Sequence, residues 1–139
     1  MSDYAKPVPV ADADSEPFWA ACRDGALRLQ RCTDCGAFRY PPAARCADCG
    51  SDEAKWTELS GRGKVFSWIT VTHPVPKDMF AADVPYVVAL IDLEEGVRMA
   101  SNIVGCAPDD VTPEMAVEVV FDQVSDGVTL PKFRPAGPG

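Results

Sequence analysis

The chain has 139 residues, enough for one ordinary domain or two very small ones, and its 47% apolar content is sufficient for a core. A formal net charge of −8 at pH 7 withholds the basic surface that nucleic-acid binding by counterion release requires. No opening segment joins a basic region to an apolar run, and no apolar stretch approaches the ~20 residues of a membrane span, so the sequence predicts a soluble, cytoplasmic protein without a signal peptide.

The opening "MSDYAKPVPVADADSEP" is rich in Pro, Ala and Asp and has no periodicity. Residues 1–14 are therefore expected to be a poorly packed tail unless a partner holds them. Residues 15–25 read as one short helix: Ser15 as N-cap, Glu16 and Pro17 in the first turn, the aromatic pair Phe18 and Trp19, and Gly25 as a C-terminal stop. After Gly25, "ALRLQRC" alternates apolar with polar or basic residues and reads as a strand that delivers Cys32.

Residues 26–59 hold the densest chemistry. "RCTDCGAFRYPPAARCADCG" carries two Cys-x-x-Cys pairs, each running into a glycine. A redox pair needs a helix N-terminus to hold one thiol as a thiolate, and none is predicted here. The glycines instead allow a tight turn that aims backbone amides at sulfur. Ten residues separate Cys35 from Cys46, enough for a hairpin that brings both knuckles to one tetrahedral ion, and Pro41 and Pro42 stiffen the turn back. Cys32, Cys35, Cys46 and Cys49 are thus predicted to hold one structural zinc per chain, with a disulfide pair as the alternative; a reducing cytoplasm favours the metal and leaves Cys22 and Cys106 as buried thiols. Five of the eight arginines fall between positions 23 and 45. Arg39 and Arg45 can offset the double negative charge of a zinc tetrathiolate, and Arg31, Arg39 and Arg45 are candidate contacts for an anionic ligand or partner.

Residues 60–134 read as all-β. "KVFSWITVTH" (64–73), "YVVALIDL" (86–93), "VRMASNIVG" (97–105), "AVEVVFDQV" (116–124) and "VTLPKF" (128–133) carry strand composition, with turn signals at Glu94-Glu95-Gly96 and Asp126-Gly127. Five strands with no helix long enough to cover an open sheet predict closure into a small barrel, because closure removes unpaired edges. An OB-type fold is the simplest such barrel and an SH3-like barrel fits nearly as well. Residues 135–139 are left as a C-terminal tail. The chain is therefore expected to be mainly β: a short N-terminal helix, a rubredoxin-like zinc ribbon and a five-stranded barrel.

No self-sufficient active site is visible. His73 ends a strand with no serine, cysteine or acid predictably beside it, Glu94 and Glu95 sit at a hairpin tip, and Asp109-Asp110 lies in a loop. "SGRGK" precedes a strand and lacks the spacing of a phosphate-binding loop.

The ordered set "FW", "LRLQRC..CG", "PP...C..CG", "GRGKVFSWITV", "PYVVALIDLEEGVRMASNIVG" and "LPKF", spanning about residues 16–134, resembles the zinc-ribbon/OB-fold family once filed as a domain of unknown function. The resemblance implies a small protein of acyl-CoA metabolism, free-standing or fused to a MaoC-type hydratase. It further implies a thiolase-like partner: a thiolase, a 3-hydroxy-3-methylglutaryl-CoA synthase, an acyltransferase, or the lipid-transfer-protein-type aldolase of steroid side-chain degradation. All four cysteines of the family's ribbon are present.

Three functions compete on this reading. The first is a non-catalytic subunit of a thiolase-like acyl-CoA enzyme, such as the retro-aldol lyase that shortens a steroid-CoA side chain. The second is an acyl-CoA-binding or delivery module. The third is a single-strand nucleic-acid binder in which Phe66 and Trp68 stack bases, and the acidic balance argues against it. For the first, the loop "PVPKDMFAADVP" (74–85) offers Met79 and Phe80 as residues that insert into the partner; the alternative is that Phe80 folds back onto the barrel mouth.

Overall fold

The computed structural model describes residues 6–137. The expectation of a loose tail over residues 1–5, and of one over 138–139, lies outside the described residues. Among those described, 6–14 form no helix or strand, yet Lys6 reaches Asp83, in the turn at residues 81–83, at 2.7 Å.

Helix α1 (Glu16–Arg23) starts from a reciprocal bond one turn earlier than its first residue. The Ser15 amide donates to Asp12 Oδ1 at 2.8 Å and the Asp12 amide donates to Ser15 Oγ at 3.0 Å, a capping box with Asp12 as its outer member. Ser15 holds the N-cap position, but its hydroxyl serves Asp12 rather than a helix amide. The helix closes at Gly25, whose φ of +78° favours glycine. Its inner face buries Phe18, Ala21 and Cys22, and it packs on the last strand of the barrel.

The chain then forms a three-stranded antiparallel sheet with β1 (Arg28–Cys32) between β2 (Phe38–Arg39) and β3 (Ala54–Glu58). β3 is a strand the sequence pattern did not announce. Its pairing with β1, from Arg28↔Glu58 to Cys32↔Ala54, imposes the extended state on a mixed five-residue segment.

The second unit comprises β4 (Arg62–Val71), β5 (Tyr86–Leu93), β6 (Arg98–Ile103), β7 (Ala116–Ser125) and β8 (Val128–Pro135). They close in the order β4-β5-β6-β8-β7, antiparallel except where Ile103 of β6 meets Phe133 of β8 in parallel. First-second-third-fifth-fourth closure is the OB arrangement, which decides against the SH3-like alternative. β8 runs to Pro135 because Val117↔Pro135 continues its ladder with β7, so the last strand reaches beyond the barrel span read from the sequence. The turn between β4 and β5 contains a single helical turn, α2 (Lys77–Phe80), and a 3-10 turn spans Pro108–Asp110.

One core serves all parts. Val65, Ile91, Met99, Val117 and Phe133 of the barrel are continuous with Phe18, Cys22, Leu27 and Leu29 of the helix and ribbon. Each of the Val, Leu, Ile, Met and Phe side chains among them gains about 1.5–3 kcal/mol on leaving water. Along β5 the alternation is clean: Val87, Ala89, Ile91 and Leu93 point in, while Val88 and Leu90 point out. The glycines of "SGRGK" have structural work here. Gly61 turns at φ +80° where a side chain would collide with Val119, and Gly63 faces β5 too closely for a Cβ. No helix among the described residues is long and apolar enough to cross a membrane.

Candidate functional site

The two Cys-x-x-Cys segments fold into copies of one turn. Gly36 donates to the Cys32 carbonyl at 2.8 Å and Gly50 to the Cys46 carbonyl at 2.9 Å; the amide of Cys32 donates to Ala37 at 2.8 Å and that of Cys46 to Ser51 at 2.9 Å. Both glycines take positive φ, +81° and +76°, which lets the chain reverse over the sulfurs. The side chain of Ser51 donates to Asp34, linking the second knuckle to the first.

The four thiols are unbridged, and one sulfur from each residue lies within 4.8 Å of the others. The nearest pairs cross between knuckles: Cys32 with Cys49 at 3.6 Å and Cys35 with Cys46 at 3.5 Å. A tetrahedron with metal–sulfur bonds of ~2.3 Å has edges of about 3.8 Å, so the donor set fits a zinc-sized ion and fills all four positions.

The electrostatics also ask for a cation. The Cys35 amide, followed by that of Asp34, holds the Cys32 thiol down at about 6. The Cys49 and Asp48 amides likewise hold Cys46 below the usual thiol range. Cys35 is drawn down by the Ala37 amide, but the Cys46 sulfur and its other neighbours outweigh this and push it up to about 12. Four thiolates at this spacing repel one another, and a divalent ion removes the conflict.

The three arginines named from the sequence separate into two roles. Arg31 Nε donates to the Gly36 carbonyl at 3.1 Å, and Arg45 Nη1 donates to the Gly50 carbonyl at 3.1 Å. Arg39 is only 7% exposed, and its Nη1 donates to the Ala43 carbonyl at 2.9 Å. Gln30 accepts from the Ala43 amide at 2.9 Å, so Gln30 and Arg39 together clamp the turn between the knuckles. The sequence carried a signal that the spacing argument passed over: "RCTDCG" (31–36) and "RCADCG" (45–50) are a repeated hexapeptide, and the arginine belongs to the repeat.

Phe80 sits at the end of α2, half-buried, with its ring 6.0 Å from that of Tyr86 and inclined by 30°. It lines a cleft of ≈350 Å³ with Tyr86, Ile103, Cys106, Leu130 and Lys132. Met79 is half-buried one residue earlier and is not among the lining residues. His73 is exposed just beyond β4. Glu94 accepts from Arg62 Nε at 3.0 Å and from the Ser60 hydroxyl at 2.9 Å, and the Ser60 amide donates to Glu95 at 2.9 Å; the hairpin-tip acids thus hold the entry to β4. Phe66 and Trp68 are not a shared stacking platform. The guanidinium of Arg98 covers Phe66 at 3.5 Å from its centroid, whereas Trp68 packs against the core.

Comparison with known proteins places these units. Residues 19–54 match the family model of the ChsH2 rubredoxin-like zinc ribbon domain, and residues 56–122 match that of the ChsH2 C-terminal OB-fold domain. A DUF35 domain-containing scaffold protein of Methanocaldococcus jannaschii is 42% identical over 112 residues, 76% of this chain and 78% of the relative. A probable enoyl-CoA hydratase alpha subunit of Thermomonospora curvata is 39% identical over 96% of this chain, which spans 41% of that protein's length. Benzoylsuccinyl-CoA thiolase subunit BbsA of Thauera aromatica is 30% identical over 78% of this chain and 74% of the relative. Among solved structures, the Ltp2-ChsH2(DUF35) aldolase contains a chain that superposes with a TM-score of 0.81 at 38% identity, covering 91% of this chain and 98% of that one. With ribbon and barrel both matched, and in this order, the chain belongs to the DUF35 family of zinc-ribbon/OB-fold proteins.

Proposed function

We propose that the chain is a non-catalytic, zinc-binding subunit that associates with a thiolase-like acyl-CoA enzyme in the cytoplasm and supports that enzyme's site, the specific partner being the retro-aldol lyase of steroid side-chain degradation. The carrying observation is the superposition over 98% of a DUF35 chain drawn from an aldolase assembly. The BbsA relative, named as a thiolase subunit, supports the same class of partner; the Thermomonospora relative, named as a probable enoyl-CoA hydratase alpha subunit, is the ground for proposing a MaoC-type hydratase as a further partner.

The metal site fits this role. Cys32, Cys35, Cys46 and Cys49 would hold one zinc whose charge and bond directions fix the ribbon; with four protein ligands it offers no position to water or substrate, so its contribution is to folding. The reacting groups then belong to the partner, and this chain presents Met79 and Phe80 to it beside the cleft. Co-expression with the thiolase-like aldolase of the same genome, followed by purification through a tag on this chain alone, tests the reading. Recovery of a stoichiometric complex is expected, and recovery of the tagged chain alone would overturn it.

A second reading is favoured by the cleft itself. Its ≈350 Å³ and its apolar wall of Phe80, Tyr86, Ile103 and Leu130 suit an acyl-CoA-binding or delivery module, with Lys132, paired to Asp122 at 2.7 Å, also in its lining. Calorimetry of the isolated chain with an acyl-CoA separates the two: micromolar affinity in the absence of any partner selects the second.

A further inference from the structure

We infer that Arg31 and Arg45 are a matched pair of positioning residues that set how tightly the tetracysteine site retains its metal, each clamping its own knuckle from outside the coordination sphere. The inference rests on the zinc reading above and concerns residues that are not ligands.

The geometry is the same twice. Each arginine stands immediately before the first cysteine of its knuckle and donates, at 3.1 Å, to the carbonyl of the glycine five residues on. Each bond therefore spans a whole Arg-Cys-x-Asp-Cys-Gly turn and ties its two ends together. The glycines held in this way are those with positive φ, where no side chain restrains the backbone. A carbonyl fixed there keeps the preceding amides, those of Asp34 and Cys35 and those of Asp48 and Cys49, aimed at the sulfurs of Cys32 and Cys46.

Charge supplies a second argument. Zinc with four thiolates carries two negative charges, each knuckle adds an aspartate (Asp34, Asp48), and the whole chain is at −8. Two guanidiniums at the knuckles offset the two negative charges of the metal centre itself. Both side chains are exposed, so neither is held in place merely by core packing. Arg31 is further fixed over the Phe38 ring, 5.2 Å from its centroid. The other nearby arginines are differently engaged: Arg28 bonds Glu58 at 3.4 Å, and Arg39 is turned beneath the inter-knuckle turn. Loss of a group that supports a ligand from the second layer commonly costs 10–100-fold in metal affinity.

The test is metal release from the full chain loaded with zinc, followed with a chromogenic chelator at neutral pH. Arg31→Gln and Arg45→Gln are each expected to release zinc about tenfold faster than the unmodified chain, with the double variant faster still. Arg28→Gln, away from the knuckles, is expected to release at the unmodified rate. Lysine variants divide the clamp from the charge: Arg31→Lys and Arg45→Lys are expected to be intermediate, and to stay faster than the unmodified chain in 1 M salt, where the screening length falls to ~3 Å. The cobalt-substituted forms should keep the same visible absorption bands, showing that all four sulfurs still bind. Glutamine variants that hold zinc as long as the unmodified chain would overturn the inference, as would lysine variants indistinguishable from it at every salt concentration. An unmodified chain that binds no stoichiometric metal would instead remove the zinc reading on which this one stands.

Discussion

A Cβ placed on Gly63 would stand 2.6 Å from the carbonyl oxygen of Asp92 and 2.9 Å from the Ile91 side chain. The first strand of the barrel therefore touches the second through bare backbone, next to the glycine turn at Gly61. Gly63→Ala is expected to lower stability by about 1–3 kcal/mol, the range for forcing atoms into a packed interior. Chemical denaturation of the full chain checks it; an unchanged midpoint would mean that β4 and β5 have room to part.

Removing the metal is expected to unfold the ribbon. Cys32→Ser or Cys49→Ser should abolish stoichiometric zinc and the ordered environment of Trp56 on β3, because metal binding in such sites supplies folding free energy on the order of 10 kcal/mol. Metal analysis with near-ultraviolet circular dichroism reads both effects. A metal-free mutant with the native spectrum would contradict a structural ion.

Much of this architecture was legible in advance. The knuckles announced themselves because metal ligation fixes both residue type and spacing, and the turn signals Glu94-Glu95-Gly96 and Asp126-Gly127 join four of the five barrel strands into two hairpins. Two strand limits escaped because partners remote in sequence decide them. β3 is extended because β1 is beside it, and β8 lengthens because β7 continues. The Asp12–Ser15 box escaped because the helical residues gave no sign that its outer member lay one turn earlier. The sequence offers Arg31, Arg39 and Arg45 alike, and only the folded backbone separates them, sending Arg31 and Arg45 to the glycines of their own knuckles and Arg39 to Ala43.

Cys22 is 1% exposed, and burial pushes its thiol up to about 12. It is expected to resist iodoacetamide at pH 8 in the folded chain, while half-buried Cys106 at the cleft is alkylated. The sign of the linkage follows from the raised value: the stabilising preference for the neutral thiol is complete below the unfolded pKa near ~8.5 and is lost as pH rises towards about 12. Cys22→Ala should flatten that alkaline decline in melting temperature. Rapid labelling of Cys22 at pH 8, located by peptide mass, would show that the helix does not seal it.

Phe80 combines partial burial against Tyr86 with a place at the cleft. Phe80→Ala is expected to weaken the complex with the thiolase-like partner by about 1–3 kcal/mol, as for a buried aromatic anchor, while the melting temperature of the isolated chain barely changes. A large drop in the isolated chain's stability with unaltered complex affinity would assign Phe80 to the barrel mouth.

The central claim is that this chain works as a subunit of a thiolase-like enzyme, and the most direct measurement is the mass of the species that forms when the two proteins are co-expressed and passed through size exclusion with light scattering. A hetero-oligomer with both chains in fixed proportion is expected. Two separate peaks at the masses of the individual proteins would contradict it.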